Sequence, residues 1–359
     1  MAPWAGLPED LFRTILEKLS IGDLVRSSAV CKDWWDKSKG IRRKSSPPWI
    51  FYLERGLYLV QPKLFDPCSR ESYDLKTANR TKIFDFIDAA KLCASKKGWL
   101  LFARKVEVPC ETLFLVYSPI SNDYFWLPTL TYHHSDVATF STNPTAPDCV
   151  FFISYRHLGD TYIATYSSGK DNWSTQKVEF GYILYDQPIS SVVYSEQKGE
   201  FYCVCVGGEL AKFAIVGRRW DVITQNRRPL KELAAKTWQH QWLVPGSIRH
   251  WLFQYEGQLL LVFLVRNLKD RKYMFSISYF DWSQNRWAVK DNVGNFAVML
   301  SSLSSNSPSV LLSRVEDAED CLCKHQVSSV SNLKVYGYRP LFFTCKQYYL
   351  VEPPCAIGD

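Results

Sequence analysis

Val116-Tyr117-Ser118-Pro119-Ile120-Ser121-Asn122-Asp123-Tyr124-Phe125 reads as a strand, a tight polar turn and a second strand that opens on aromatics. The same unit occurs as Leu64-Phe65-Asp66-Pro67-Cys68-Ser69-Arg70-Glu71-Ser72-Tyr73, and related units end on Trp173, Trp220 and Trp287. Pro67 stands 52 residues before Pro119, and Trp173 stands 47 before Trp220. Hairpins that close on an aromatic at a period near fifty predict the blades of a β-propeller, four strands each, buried only against their neighbours.

Outward from these hairpins, the chain from Trp49 onward shows little helical periodicity. Residues 112–117, 200–206 and 274–280 alternate apolar and polar positions between turn residues, the pattern of short strands. Residues 49–359 leave room for roughly six blades at ~50 residues each. The Ser-rich, acidic and Cys-containing region around 300–335 reads as a long loop inserted in the last part. Gly40-Ile41-Arg42-Arg43-Lys44-Ser45-Ser46-Pro47-Pro48 reads as a linker, since consecutive prolines stop a helix. The expected architecture is mainly β with a small N-terminal α module: residues 1–39, a linker at 40–48, and a propeller at 49–359.

The N-terminal module is helical by pattern. Leu7, Leu11, Ile15, Leu16 and Leu19 follow one another at offsets that predict one face of an amphipathic helix. Pro8 suits the first helical turn, and Glu9 and Asp10 place negative charge at the positive end of the helix dipole. Ser20 and Asp23 mark the start of a second short helix, and a third begins near Val30 and carries Trp34. About 35 residues cannot supply their own core. Exposed Leu7, Leu11 and Trp34 therefore imply packing on the rest of the chain or a protein partner.

Leu7-Pro8-Glu9-Asp10-Leu11, Ile15-Leu16, Leu19, Ile21-Gly22-Asp23-Leu24 and Val30-Cys31-Lys32-Asp33-Trp34 together resemble an F-box. An F-box docks onto the Skp-type adaptor of a cullin-RING ubiquitin ligase. The resemblance implies that Leu7, Pro8, Leu11, Ile15, Leu16, Leu19, Leu24, Val30, Cys31 and Trp34 bury against the adaptor or order the helices. A second resemblance covers most of residues 50–290. Gly98-Trp99-Leu100-Leu101, Tyr117-Ser118-Pro119 through Leu127-Pro128, Gly199-Glu200-Phe201-Tyr202 and Glu256-Gly257-Gln258-Leu259-Leu260 resemble the C-terminal domain of plant F-box/kelch-like proteins. Ser118, Glu200 and Gln258 depart from that pattern, where Asn, Lys and Glu stand.

Composition agrees with a globular β protein: 47% hydrophobic, 22% charged and 15% aromatic. A formal net charge of +7 could favour an acidic partner but does not establish nucleic-acid binding, and none is expected. The longest apolar run, 259–265, falls far short of the ~20 residues needed to span a bilayer. No apolar run preceded by basic residues opens the chain, so neither a signal peptide nor a membrane partner is expected and the localisation read is cytoplasmic and/or nuclear.

The eleven cysteines are scattered and odd in number, which fits free thiols. Cys203 and Cys205 share one face of a strand, where a core role outweighs a metal site. Cys321-x-Cys323-x-His325 after an acidic run lacks the usual Cys-x-x-Cys spacing and a second ligand pair; no metal or cofactor is expected. No catalytic motif is present. Gly207-Gly208 reads as a hairpin turn. Lys96-Lys97, Arg218-Arg219, Arg227-Arg228 and Arg271-Lys272 read as solvated turns.

The expected function is that of a non-catalytic substrate-recognition subunit. The F-box holds the Skp-type adaptor, and through it the cullin and RING subunits; the propeller presents a target protein. Candidate target loops contain His133 and His134, Arg156 and His157, and Trp238 and Trp242, aromatic and basic residues suited to interface anchors. Trp238 and Trp242 could equally sit on one side of a helical turn packed on the core. The alternatives are a scaffold or inhibitory binder acting outside the ligase, and a propeller ligand sensor or enzyme.

Overall fold

A computed structural model describes residues 7–19, 23, 27, 30–38, 49–55, 60–66, 71–75, 81–108, 110–131, 135–179, 188–224, 248–255, 257–266, 273–289, 296–300, 310–314, 324–330, 333–338 and 348–351. Two helices, α1 (Glu9–Leu16) and α2 (Lys32–Ser38), form the N-terminal module. Asp23 and Ser27 between them are also helical. The remaining described chain builds six four-stranded sheets, in agreement with the predicted architecture.

Blade 1 combines Trp49–Arg55, Val60–Asp66 and Glu71–Asp74 with the late strand Tyr348–Val351. That late strand pairs antiparallel with the first, Trp49 opposite Val351 and Phe51 opposite Tyr349. Hydrogen bonds thus join the two ends of the domain. Blade 2 runs through Lys91–Lys96, Trp99–Val106, Glu111–Ser118 and Asp123–Thr131. Blade 3 runs through Ser135–Phe140, Val150–His157, Asp160–Ser167 and Ser174–Val178; blade 4 through Ile189–Ser195, Glu200–Cys205, Leu210–Ala214 and Arg219–Val222. Blade 5 comprises Ile248–Tyr255, Gln258–Arg266, Tyr273–Asp281 and Arg286–Val289.

All five predicted aromatic hairpins are the outer pair of strands in blades 1 to 5. Their turns sit at 66–71, 118–123, 167–174, 214–219 and 281–286. The sixth sheet corrects the expected long loop at 300–335. Strands Val310–Arg314, Lys324–Val330 and Leu333–Tyr338 cross that region and join Phe296–Leu300. Here Phe296–Leu300 pairs in parallel with Leu333–Tyr338, so the run of simple hairpins is broken. A second correction is α3, Thr81–Ala89, between blades 1 and 2. Ile83, Phe84, Phe86 and Ile87 are all buried, at spacings that place them on one helical side.

The two-residue period of a strand explains how each blade is held. Leu100, Phe102, Leu115 and Tyr117 of blade 2 face the seam with blade 1. Their neighbours Leu101, Ala103, Phe114 and Val116 face the seam with blade 3. Phe152 of blade 3 meets Phe201 and Phe213 of blade 4, with ring centroids 4.8 and 5.8 Å away. Cys203 and Cys205 also face that seam, whereas Tyr202 and Val204 face blade 5. The predicted core role of the two cysteines is thus borne out. Strands buried on both sides read as near-continuous apolar runs, as 259–263 does.

The hairpin tryptophans also tie blades 3, 4 and 5 each to the blade before it. Trp173 donates its indole N–H to the Pro128 carbonyl (2.8 Å), Trp220 to that of Glu179 (2.9 Å), and Trp287 to that of Gly208 (2.9 Å). Trp287 is buried, so Trp287→Phe strands a carbonyl with no donor. We expect a loss of about 1–2 kcal/mol in denaturant unfolding, with the slope against denaturant unchanged.

Candidate functional site

Two surfaces stand out, one on each part of the chain. In α1, Pro8 is the N-cap residue with extended backbone, and its carbonyl accepts the Phe12 N–H at 3.0 Å. Glu9 and Asp10 occupy the first turn, as their charge predicts. Phe12 and Leu16 are buried, and Leu7, Leu19 and Trp34 pack on them. The Trp34 ring meets the Phe12 ring edge-on at 4.8 Å. Lys37, bridged to Asp33 at 2.8 Å, lies 5.4 Å from the Phe12 centroid.

This arrangement corrects the single apolar face expected for Leu7, Leu11, Ile15, Leu16 and Leu19. Leu16 turns inward with Phe12. Leu11 (52% exposed) and Ile15 (41%) turn outward. Trp34 is likewise not an exposed anchor: it joins the two helices, and the next residue, Trp35 (42% exposed), faces out. Val30 and Cys31 are exposed, and the Cys31 carbonyl accepts the Trp35 N–H at 2.9 Å. Leu24 lies outside the described residues. Phe12 and Trp35 were missed at the sequence level. The signals were available: Phe12, Leu16 and Leu19 are spaced four and three apart, and of two adjacent tryptophans on a short helix only one can face inward.

The propeller offers two ends. Because strands alternate in direction, the turns between first and second strands and between third and fourth strands share one end. The turns between second and third strands share the other end with the connections from blade to blade. At the first end the turns bind one another. Lys97 of blade 2 bridges Glu196 of blade 4 at 2.6 Å, which holds the Glu196 carboxyl below its usual range. Lys96 donates to the Ser141 carbonyl at 2.6 Å and lies 5.4 Å from the Tyr194 centroid. Gln254 donates to Ser195 Oγ at 3.1 Å. Arg218 donates to Thr165 Oγ1 and to the Ser174 carbonyl, each at 3.1 Å. Lys96, Lys97 and Arg218 are therefore inter-blade ties rather than the solvated turn residues expected.

The second end holds Arg156, exposed, and His157, half-buried with its ring 6.4 Å from that of Tyr162. The described strands Asp123–Thr131 and Arg219–Val222 finish at the same end, by the alternation above. The side chains of His133, His134, Trp238 and Trp242 lie outside the described residues, as do Arg227-Arg228 and Arg271-Lys272. Three turns at this end expose an aliphatic side chain: Val108, Leu158 and Val206. None of the three was singled out from sequence.

Reactive groups are held quiet. Burial pushes the Cys93 thiol up to about 11, and burial with the adjacent Glu209 carboxylate raises Cys205, whose thiol donates to Glu209. Among the described residues no group of three or more His, Cys, Asp or Glu is placed to hold a metal. Cys321 and Cys323 lie outside them. His250 of blade 5 shares a 2.5 Å hydrogen bond with Ser190 of blade 4. Burial holds its imidazole down at about 4 against an ordinary 6.5, despite a bond to the Cys205 carbonyl.

The unfolded chain therefore takes up a proton at His250 before the folded one does. The stability that His250 contributes is present above pH 6.5 and is lost as pH falls toward 4. Denaturant melts at pH 7 and pH 4.5 should differ by about 2 kcal/mol from this group. The difference should shrink by that amount in His250→Gln.

Comparison with known families agrees with both parts. The F-box domain profile matches residues 4–34, and the KIB1-4 beta-propeller profile matches residues 45–320. The chain belongs to the KIB1-4 β-propeller family and carries an F-box. It is 25% identical to F-box protein At3g56470 of Arabidopsis thaliana over 310 residues, covering 84% of this chain and 73% of that one. It is 27% identical to F-box/kelch-repeat protein At1g57790 of the same plant over 306 residues, covering 85% and 78%. F-box/kelch-repeat protein KIB1 of that plant shares 28% identity over 113 residues, 30% of this chain and 28% of that one. The pairing of F-box and propeller is that of an F-box substrate receptor in general: a module that binds a Skp-type adaptor, joined to a domain typically without catalytic chemistry.

Proposed function

We propose that this protein is the substrate-recognition subunit of an SCF-type ubiquitin ligase in the cytoplasm or nucleus. Residues 1–39 serve as the adaptor handle and 49–359 as the target-binding domain, joined by 40–48. One observation carries the reading: α1 satisfies its inner face with Phe12, Leu16 and Trp34, yet keeps Leu11 and Ile15 outside. A helix that needed only to pack on its own chain would put polar residues there. Leu7, Pro8, Leu16, Leu19 and Trp34 then shape the module, and Leu11, Ile15, Val30 and Trp35 face the adaptor. The receptor performs no covalent step. It raises the effective concentration of target near the ubiquitin donor.

The test is co-expression of the full chain with a plant Skp-type adaptor and size-exclusion chromatography. An equimolar complex that survives dilution supports the reading. Separate elution of two folded proteins refutes it.

A further inference from the structure

Lys198 extends its ammonium over a corner made by two aromatic rings. Its Nζ lies 4.6 Å from the Trp282 centroid and 5.7 Å from the Tyr202 centroid, both within the ~6 Å reach of a cation–π contact. The two rings meet at 5.8 Å with an interplanar angle of 68°, so they form two walls and not one. Lys198 comes from the turn between the first two strands of blade 4, Tyr202 from the second of those strands, and Trp282 from the 281–286 turn of blade 5. Both turns belong to the first end, so the corner spans the seam of blades 4 and 5 there. Each wall is held in place. Phe280 meets Trp282 at 4.8 Å and 76°, and the Tyr202 hydroxyl donates to Glu200 at 3.2 Å. Tyr202 is buried, while Trp282 remains 42% exposed. The corner is built by the fold and open to solvent on the Trp282 side.

The carboxylates beside Lys198 are engaged elsewhere. Glu196 bridges Lys97 at 2.6 Å, and Glu200 holds Lys212 at 3.0 Å as well as the Tyr202 hydroxyl. Among the described residues Lys198 makes no ion pair, and it is exposed. An exposed cation–π contact is weak, and a lysine stem regains rotamer freedom when it lets go, so Lys198 is readily displaced. We propose that the Trp282–Tyr202 corner is a binding site for a methylated lysine side chain, with Lys198 as the chain's own stand-in. The stand-in sets the shape: a four-carbon stem ending in an ammonium. The engaged carboxylates set the selectivity. A primary ammonium brings three N–H donors, which π faces satisfy less well than water does, whereas a trimethylated ammonium brings none and keeps its charge for the rings. Net charge does not select here. The two turns and their ion-pair partners carry Lys97, Lys198, Lys212 and Arg286 against Glu196, Glu200 and Asp281, so no acidic field gathers cations at large. The inference goes beyond the adaptor reading and does not depend on it.

The experiment titrates the full chain into a fluorescein-labelled peptide of uncharged residues carrying one trimethyllysine, and into the same peptide with unmodified lysine, followed by fluorescence anisotropy at constant ionic strength. The trimethyllysine peptide should bind about tenfold tighter than its lysine twin. Lys198→Ala removes the internal competitor and should tighten the trimethyllysine peptide by about two- to fivefold, the worth of one exposed cation–π contact. Trp282→Leu keeps apolar bulk without a π face and should lose about tenfold in affinity at an unchanged melting temperature. Trp282→Phe restores a π face and should recover part of that loss. Equal affinity for the two peptides overturns the proposal, as does binding that Trp282→Leu leaves intact. Absence of binding by both wild type and Lys198→Ala overturns it too. A lower melting temperature in Lys198→Ala without tighter binding makes Lys198 an inter-blade tie and nothing more. Phosphatidylcholine vesicles that bind wild type but not Trp282→Leu, with the trimethyllysine peptide left unbound, would replace the side chain with a lipid headgroup.

Discussion

Phe152→Ala is expected to cost about 4 kcal/mol, the largest effect of any single change considered. Phe152 is fully buried at the seam of blades 3 and 4, in contact with the rings of Phe201 and Phe213. Truncation removes its transfer free energy and leaves a cavity that two sheets cannot collapse around, because each is fixed by its own hydrogen-bond ladder. Domains are stable by only ~5–15 kcal/mol in total. The melting temperature should drop on the order of 10 °C, measured by circular dichroism in the β region. A drop of a degree or two would mean that the seam is loosely packed and that the blades are not held as described.

The second large effect concerns the adaptor. Replacing Leu11 and Ile15 together with Asp should reduce affinity for a Skp-type adaptor by two orders of magnitude or more, since truncating one buried anchor typically costs ~2 kcal/mol. Both side chains lie outside the Phe12–Leu16–Trp34 cluster, so the melting profile should not change. Leu7→Ala with Pro8→Ala should weaken the same complex less directly, through the start of α1 and the packing of Leu7 on that cluster. Titration calorimetry separates the two cases. Equal affinity for wild type and Leu11→Asp/Ile15→Asp places the adaptor on some other surface.

Much of the fold was legible because the outer hairpin of a blade carries its own signature. Its turn must be polar, and its last strand opens on an aromatic that reaches the preceding blade, as Trp173, Trp220 and Trp287 do. Blade 6 departs from that pattern: Phe296–Leu300 and Leu333–Tyr338 pair in parallel, which breaks the repeating connection, and the region read as a loop. The Thr81–Ala89 helix was hidden among strands, although Ile83, Phe84, Phe86 and Ile87 spell its period.

The helical module was legible in outline but not in orientation. Spacing alone placed Leu11 and Leu16 on one face, and only the tertiary partner Trp34 decides which of them turns in. Residues at the second end of the propeller were least legible. The sequence-level choice favoured Arg156 and His157 for their chemistry, while the exposed aliphatics Val108, Leu158 and Val206 are defined by turn geometry and exposure that no local pattern reveals. The basic pairs at turns failed in the opposite way. Lys96, Lys97 and Arg218 find partners 44 or more residues distant in the chain.

The most direct test of the receptor account is the half-life of a captured target in plant cells. Wild-type chain should shorten it. Leu11→Asp/Ile15→Asp should capture the same target and lengthen its life, because a receptor cut off from its adaptor shields what it binds. Turnover that proceeds equally with both chains would contradict the account, and would make this propeller a binder that works apart from the ligase.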